Sequence, residues 1–167
     1  MSRAVLVGMP GAGKTTIGRA LAEQLGCPFL DLDELLADTI GMSAAAFLRE
    51  NGEDAFRLAE YSALRVALQS DAVVSCGGGT VTYEPSRKLL QDHQCVIWLS
   101  VPLTTLERRV AGGDRPLLGD NPAGALASLI ETRGPLYEAV ATLVVDGDHR
   151  PAEVVEEIVR HVGKLSS

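Results

Sequence analysis

The chain has 167 residues, 46% of them hydrophobic, which suits one compact domain with a sizeable core. Its formal net charge is −7, and an acidic surface excludes the broad basic face that sequence-independent nucleic-acid binding needs. No apolar run approaches the length of a membrane span, and the first residues lack the basic-then-apolar layout of a secretion signal. Neither nucleic acid nor membrane is expected as a partner. Three widely spaced cysteines (Cys27, Cys76 and Cys95) form no C-x-x-C pair, which argues for core fillers in a reducing, cytoplasmic setting.

In chain order, Ala4 to Val7 is a short apolar run that predicts a buried strand. Gly8-Met9-Pro10-Gly11-Ala12-Gly13-Lys14-Thr15 then matches G-x-x-x-x-G-K-[ST], with a helical pattern opening at Lys14 and stopping at Gly26. Residues 28–33 read as a second strand, on which alternation places Asp31 and Asp33 on one side. Helices are expected over 34–40, over 44–50 behind a Ser43 cap, and over 53–69. A third strand over 71–76 is cut off by Gly77-Gly78-Gly79. A helix over 84–92, a strand over 95–101 and a helix over 103–110 follow. Residues 111–122 lack periodicity and read as a mobile loop. Two helices, 123–133 and 136–141, are expected on either side of a break at Gly134-Pro135. A fifth strand over 142–146 and a helix over 152–164 close the chain. Alternating strands and helices define an α/β fold with a five-stranded parallel sheet flanked by helices in three layers, and ligands belong at the carboxyl ends of the strands. His93, His149 and His161 have no spacing that suggests a metal or catalytic role and are expected at the surface or in turns, and Trp98 in the core.

The glycine loop carries the first chemistry. Backbone N–H groups of Gly11, Ala12, Gly13, Lys14, Thr15 and Thr16 can curl around phosphate oxygens at a helix N-terminus, Lys14 adds a point charge, and Thr15 offers a hydroxyl to Mg²⁺. Nucleoside triphosphate binding follows. Of the acids, one suits the metal's water shell near Thr15 and the other an acceptor hydroxyl; two solvated acids at a helix start are the plain alternative. Arg57 and Glu60 share a helix face, so a carboxylate can orient a guanidinium fork for a substrate carboxylate or phosphate, or form an ordinary surface pair. The triple glycine allows close backbone approach to a ligand. Arg108 and Arg109 end one helix, Arg115 lies in the mobile loop, and Arg133 precedes Gly134-Pro135. A loop arginine that closes on the γ-phosphate stabilises transferring charge and excludes water.

These motifs in combination resemble the shikimate kinase family of nucleoside-monophosphate-kinase-like P-loop proteins, from Val5 to about Val155. They are Gly8 to Thr15, the Asp31/Asp33 pair, Phe56-Arg57 with Glu60, the triple glycine, Arg115-Pro116-Leu117-Leu118 and Arg133-Gly134-Pro135-Leu136-Tyr137. The resemblance implies transfer of the γ-phosphate of ATP to the 3-hydroxyl of shikimate, with Mg²⁺, on the route to chorismate and the aromatic amino acids. It implies that Arg57 and Arg133 clamp the substrate carboxylate, with Glu60 orienting Arg57. Asp33 and backbone at Gly77, Gly78 and Gly79 would hold ring hydroxyls, Asp33 being the candidate base. Thr15 would bind the metal directly and Asp31 through water. Lys14 and Arg115 would stabilise transferring charge, and Arg109 with the Arg150-Pro151 turn would flank the adenine. It further implies one domain over 1–167, with a substrate-binding helical insert at about 34–60 and a lid at about 111–122, acting as a monomer. The third strand departs from many P-loop proteins in ending Val74-Ser75-Cys76, without a Walker B acid, which leaves Asp31 as the metal partner. The competing readings are a kinase of another small hydroxy acid or polyol such as gluconate, a nucleoside monophosphate kinase, and a nucleotide-binding module without catalysis.

Overall fold

The computed structural model describes residues 1–111 and 121–165. Five strands, β1 (Ala4–Val7), β2 (Phe29–Asp31), β3 (Val73–Ser75), β4 (Val96–Ser100) and β5 (Leu143–Asp146), form one sheet. The sheet is all parallel, in the order β2-β3-β1-β4-β5. Parallel strands covered on both faces need apolar residues throughout, and β1 is buried along its whole length. Among the described residues seven α-helices flank the sheet: α1 (Lys14–Leu25), α2 (Leu32–Ile40), α3 (Ala44–Gln69), α4 (Glu84–Gln91), α5 (Leu103–Ala111), α6 (Pro122–Val140) and α7 (Pro151–Leu165). Helix α1 packs against α7, while α3, α4 and α6 form a second contiguous group.

The register sets the site. Leu6 and Asp31 both align with Ser75 across the sheet, so β1, β2 and β3 end at one level. Their carboxyl ends deliver the glycine loop, the Asp31–Asp33 acids and the triple glycine to a common edge. The expected residues 112–120 of the lid, with Arg115, lie outside the described residues.

Three expectations are corrected. Asp33 is not on a strand: β2 stops at Asp31, whose carboxylate accepts the N–H groups of Asp33 (2.9 Å) and Glu34 (3.3 Å). Asp31 therefore caps α2, which opens at Leu32 rather than Glu34, because a satisfied N-terminus outweighs continued alternation. Second, α6 runs through Gly134-Pro135 without a break. Pro135 forfeits one backbone hydrogen bond, but Leu126, Ile130, Arg133, Tyr137 and Val140 lie on one helical stripe, and its apolar members pack on the core. Third, His93 is buried, with Nε2 2.8 Å from the Ser2 hydroxyl and Nδ1 accepting the Cys95 N–H at 3.1 Å.

The separation between helices 44–50 and 53–69 is visible as a kink inside α3 at Gly52, where φ is 83° and ψ 171°. That backbone region is open essentially to glycine alone. Cys76 and Cys95 are buried, Cys27 is partly buried against the core, and all three are free. Trp98 in β4 is half-buried and packs on Tyr137, ring centroids 5.8 Å apart. No described helix is long and apolar enough to cross a membrane.

Candidate active site

A cavity of about 760 Å³ opens at the carboxyl edge of β1, β2 and β3. Its walls bring together Gly11, Gly13, Lys14, Thr15 and Thr16 from the loop and the start of α1, and Asp31 and Asp33 from the start of α2. Arg57 and Glu60 of α3, Gly77 to Gly79, Arg109 of α5 and Arg133 of α6 complete them. The loop turns back through Gly11 (φ 84°) and Gly13 (φ 95°), a left-handed backbone that lets α1 start with its N–H groups unpaired by side chains. Lys14 Nζ donates to the carbonyls of Gly8 (2.8 Å) and Met9 (2.9 Å), so the ammonium is held over the loop.

Thr15 donates its hydroxyl to Asp31 Oδ2 at 3.3 Å. A hydroxyl and a carboxylate at a phosphate loop are hard oxygen donors, and two of them suit a small divalent cation that keeps water and phosphate oxygens as its other ligands. Among the described residues no cluster of three or more His, Cys, Asp or Glu exists to hold a metal by protein ligands alone. Asp33 faces the cavity from the first turn of α2. Desolvation by the surrounding walls, and then the negative charge of Asp31, raise its pKa above the ordinary aspartate value, against the opposing pull of Lys14 and Arg57.

Arg57 reaches the cavity from the helix half after Gly52. Its Nη1 donates to both oxygens of Glu60, at 3.3 and 3.0 Å, and Glu60 is only 1% exposed. Its Nε is buried without a hydrogen-bond partner among the described residues, and Glu53 lies 3.7 Å from it. The guanidinium lies directly over Gly79, where a Cβ would collide with Nη2. A Cβ on the neighbouring Gly78 would meet Pro10 at 2.8 Å and Arg133 Nη1 at 3.3 Å. The triple glycine thus lies against two guanidinium groups that line the same cavity, Arg133 of α6 at Gly78 and Arg57 of α3 at Gly79. Two planar forks on the wall of one cavity suit a carboxylate.

Arg109 Nη1 donates to the carbonyls of Gly11 (3.1 Å) and Ala12 (3.2 Å), and Nη2 to Gly147 (3.2 Å), tying the loop to the turn after β5. Ala12 is buried behind the loop rather than in the cavity wall. Arg150 and Pro151 are not brought to the wall. Arg150 is an exposed side chain paired with Glu153 at 2.9 Å.

Two residues at this site escape sequence reasoning. Thr80 donates its buried hydroxyl to Glu60 Oε1 at 3.0 Å. Tyr137 donates its hydroxyl to the Gly78 carbonyl at 2.5 Å, and burial pushes its pKa up to about 12, so it remains a donor at any physiological pH. Tyr137 stands four residues after Arg133 on α6, a spacing that signals one face. Nothing in the sequence signals Thr80.

A phosphate loop opening α1 at the carboxyl edge of this sheet, facing carboxylates and paired arginines across one cavity, defines a P-loop kinase of small molecules. The model of the family described as shikimate kinase matches residues 10–163. Shikimate kinase of Corynebacterium efficiens is 45% identical over 161 residues, covering 95% of each chain. The structure of shikimate kinase from Acinetobacter baumannii in complex with shikimate superposes with a TM-score of 0.89 at 34% identity, covering 96% of this chain and 92% of that one. A gluconokinase from Sinorhizobium meliloti is more distant, with a TM-score of 0.66 at 26% identity, covering 97% and 92%. This chain belongs to the shikimate kinase family.

Proposed function

We propose that this protein phosphorylates shikimate. The γ-phosphate of ATP passes to the 3-hydroxyl, giving shikimate 3-phosphate and ADP on the route to the aromatic amino acids. The observation that carries the reading is that Arg133, against Gly78, and Arg57, against Gly79, line the same cavity as Asp33 and the phosphate loop. A compact ring bearing one carboxylate and several hydroxyls matches that donor set.

In this reading the two guanidinium forks grip the carboxylate, which fixes the ring and turns the acceptor hydroxyl toward the loop. Asp33 accepts a hydrogen bond from that hydroxyl and takes its proton as the new O–P bond forms and ADP departs. Its raised pKa makes it a stronger base than an ordinary aspartate. Backbone of Gly77, Gly78 and Gly79, on the wall of the same cavity, meets ring hydroxyls in this reading. The loop N–H groups from Gly11 to Thr16 cradle the phosphates, and Lys14 and Arg115 meet the charge on the transferring group. Thr15, directly, and Asp31, through water, would hold Mg²⁺, which would supply charge neutralisation at the phosphates. Arg109 flanks the nucleotide while tying the loop to Gly147. The chain acts as a monomeric single domain in which residues of about 34–60 form the substrate insert and about 111–122 the lid.

The test is ADP release by the purified protein with ATP and Mg²⁺, with shikimate, with gluconate and with neither. ADP formation that depends on shikimate and falls at least a hundredfold in Asp33→Asn and Arg133→Ala is expected. Hydrolysis of ATP indifferent to shikimate would overturn the substrate and leave the nucleotide site standing.

A further inference from the structure

Glu60 is almost wholly buried and has two partners. Arg57 Nη1 holds both its oxygens, and the Thr80 hydroxyl donates to Oε1 at 3.0 Å from the first position of the 3₁₀ turn Thr80–Thr82. The surroundings oppose ionisation of Glu60. Burial raises its pKa most, Asp33 of α2 adds a like charge, and only Arg57 and Thr80 act the other way. The Cys76 thiol at the end of β3 also lies near and stays protonated, its pKa pushed up by burial. Asp33 and Glu60 converge on Gly77, where a Cβ would lie 3.0 Å from Asp33 Oδ1, 3.2 Å from Glu60 Oε1 and 3.5 Å from Thr80 Oγ1.

A protonated Glu60 offers one carbonyl oxygen and no charge, which does not hold a guanidinium. Arg57 would then lose the contact that anchors Nη1 and, with it, the orientation of its guanidinium over Gly79. After Arg57, Thr80 supplies a further donor that favours the ionised form of Glu60, without adding a second cation beside Arg57.

We infer that Thr80 is a positioning residue for phosphoryl transfer: its buried hydroxyl holds Glu60 as a carboxylate turned to Arg57, and so sets the Arg57 fork that grips the substrate. The inference rests on the shikimate reading for the identity of that substrate, and on geometry alone for the Thr80–Glu60–Arg57 chain. Thr80 does not line the cavity and touches no reactant itself.

Thr80→Val keeps the volume of the buried side chain and removes only the hydroxyl, and Thr80→Ser keeps the hydroxyl. In Thr80→Val the KM for shikimate rises about tenfold, as expected for one lost hydrogen bond to a charged group, while the KM for ATP stays within twofold. The acid limb of kcat/KM for shikimate moves to higher pH, because Glu60 protonates sooner. Thr80→Ser restores both. Carboxyl carbon NMR of Glu60, assigned with Glu60→Gln, gives a readout independent of turnover: Glu60 titrates at higher pH in Thr80→Val than in the wild type. An unchanged Glu60 titration overturns the inference whatever the activity. So does an unchanged shikimate KM, a loss that Thr80→Ser does not restore, or a parallel rise in both KM values. A wild-type protein inactive on shikimate would instead overturn the substrate reading, and the NMR titration would decide the role of Thr80.

Discussion

Asp33 lies open to the cavity, yet the protein around it and the charge of Asp31 keep its pKa above the ordinary aspartate value. The folded state therefore binds this proton more tightly than the unfolded chain. Stability falls as pH rises from the ordinary value through the raised one, and above that window the ionised group opposes folding. At pH 7 Asp33→Asn is thus expected to melt at or above the wild-type temperature while losing shikimate-dependent turnover. A fall of several degrees would make Asp33 a structural residue. Only the ionised carboxylate accepts a proton, so kcat/KM for shikimate is expected to drop on the acid side at a pH above the usual aspartate range. The glycine at 79 answers to a different constraint. Its missing side chain is occupied by the Arg57 guanidinium, so Gly79→Ala must displace that group. The expected outcome in steady-state kinetics is a shikimate KM raised at least tenfold with the ATP KM little changed.

At the scale of elements, three local decisions shape the cavity. The Asp31 cap ends β2 and starts α2, which swings Asp33 round the first helical turn instead of leaving it on an extended edge. The kink at Gly52 divides α3, which packs on α2, and Arg57 and Glu60 lie in the part that follows it. Gly52→Ala puts a Cβ into a backbone region nearly closed to it, and is expected to cost about 1–3 kcal/mol in urea unfolding, with a raised shikimate KM from the reoriented Arg57. Helix α6 continues through Pro135, which places Arg133 and Tyr137 on one face. Tyr137 then ties that face to the Gly78 carbonyl. Because a trans peptide points its C=O and N–H in opposite directions, the same bond turns the Gly79 N–H away from Tyr137. Tyr137→Phe keeps the packing on Trp98 and removes the tie, so a rise in shikimate KM of several-fold without a change in ATP KM is expected.

Over the whole molecule, the sheet is closed at its amino-terminal edge by contacts far from the cavity. The backbone N–H groups of Ser2 and Arg3 donate to Leu68 and Ala72, and the Ser2 hydroxyl meets His93, whose other ring nitrogen accepts the Cys95 N–H. That acceptor requires Nδ1 to be unprotonated. Burial lowers the His93 pKa, so the neutral form is favoured by folding. The sign follows: this stability is present above the ordinary imidazole value, near about 6.5, and is lost as pH falls below it toward the lowered one. Urea unfolding at pH 7.5 and 5.5 is expected to show a loss that His93→Gln reduces. An equal loss in both proteins would exclude His93 as the cause.

The order of elements, the phosphate loop, the triple glycine and the paired Arg57–Glu60 are local patterns, and the sequence by itself determined them. Periodicity and glycine placement act over a few residues, and that is the range in which a strand-loop-helix or a helix face is specified. One local signal was legible but concealed: Asp31 followed by two acids in a first turn is a capping pattern, which alternation hid. The break expected at Pro135 failed because burial of one stripe along α6 exceeds the loss of one backbone bond. Only the tertiary structure decided that Thr80, Glu60 and Asp33 converge on Gly77, that Tyr137 reaches Gly78, and that His93 is a buried acceptor. The pairs that decide them lie far apart in the chain: Glu60 and Thr80 are 20 residues apart, Gly78 and Tyr137 59, and Ser2 and His93 91. Their distances depend on strand order, register and helix packing, and sequence spacing carries no record of these.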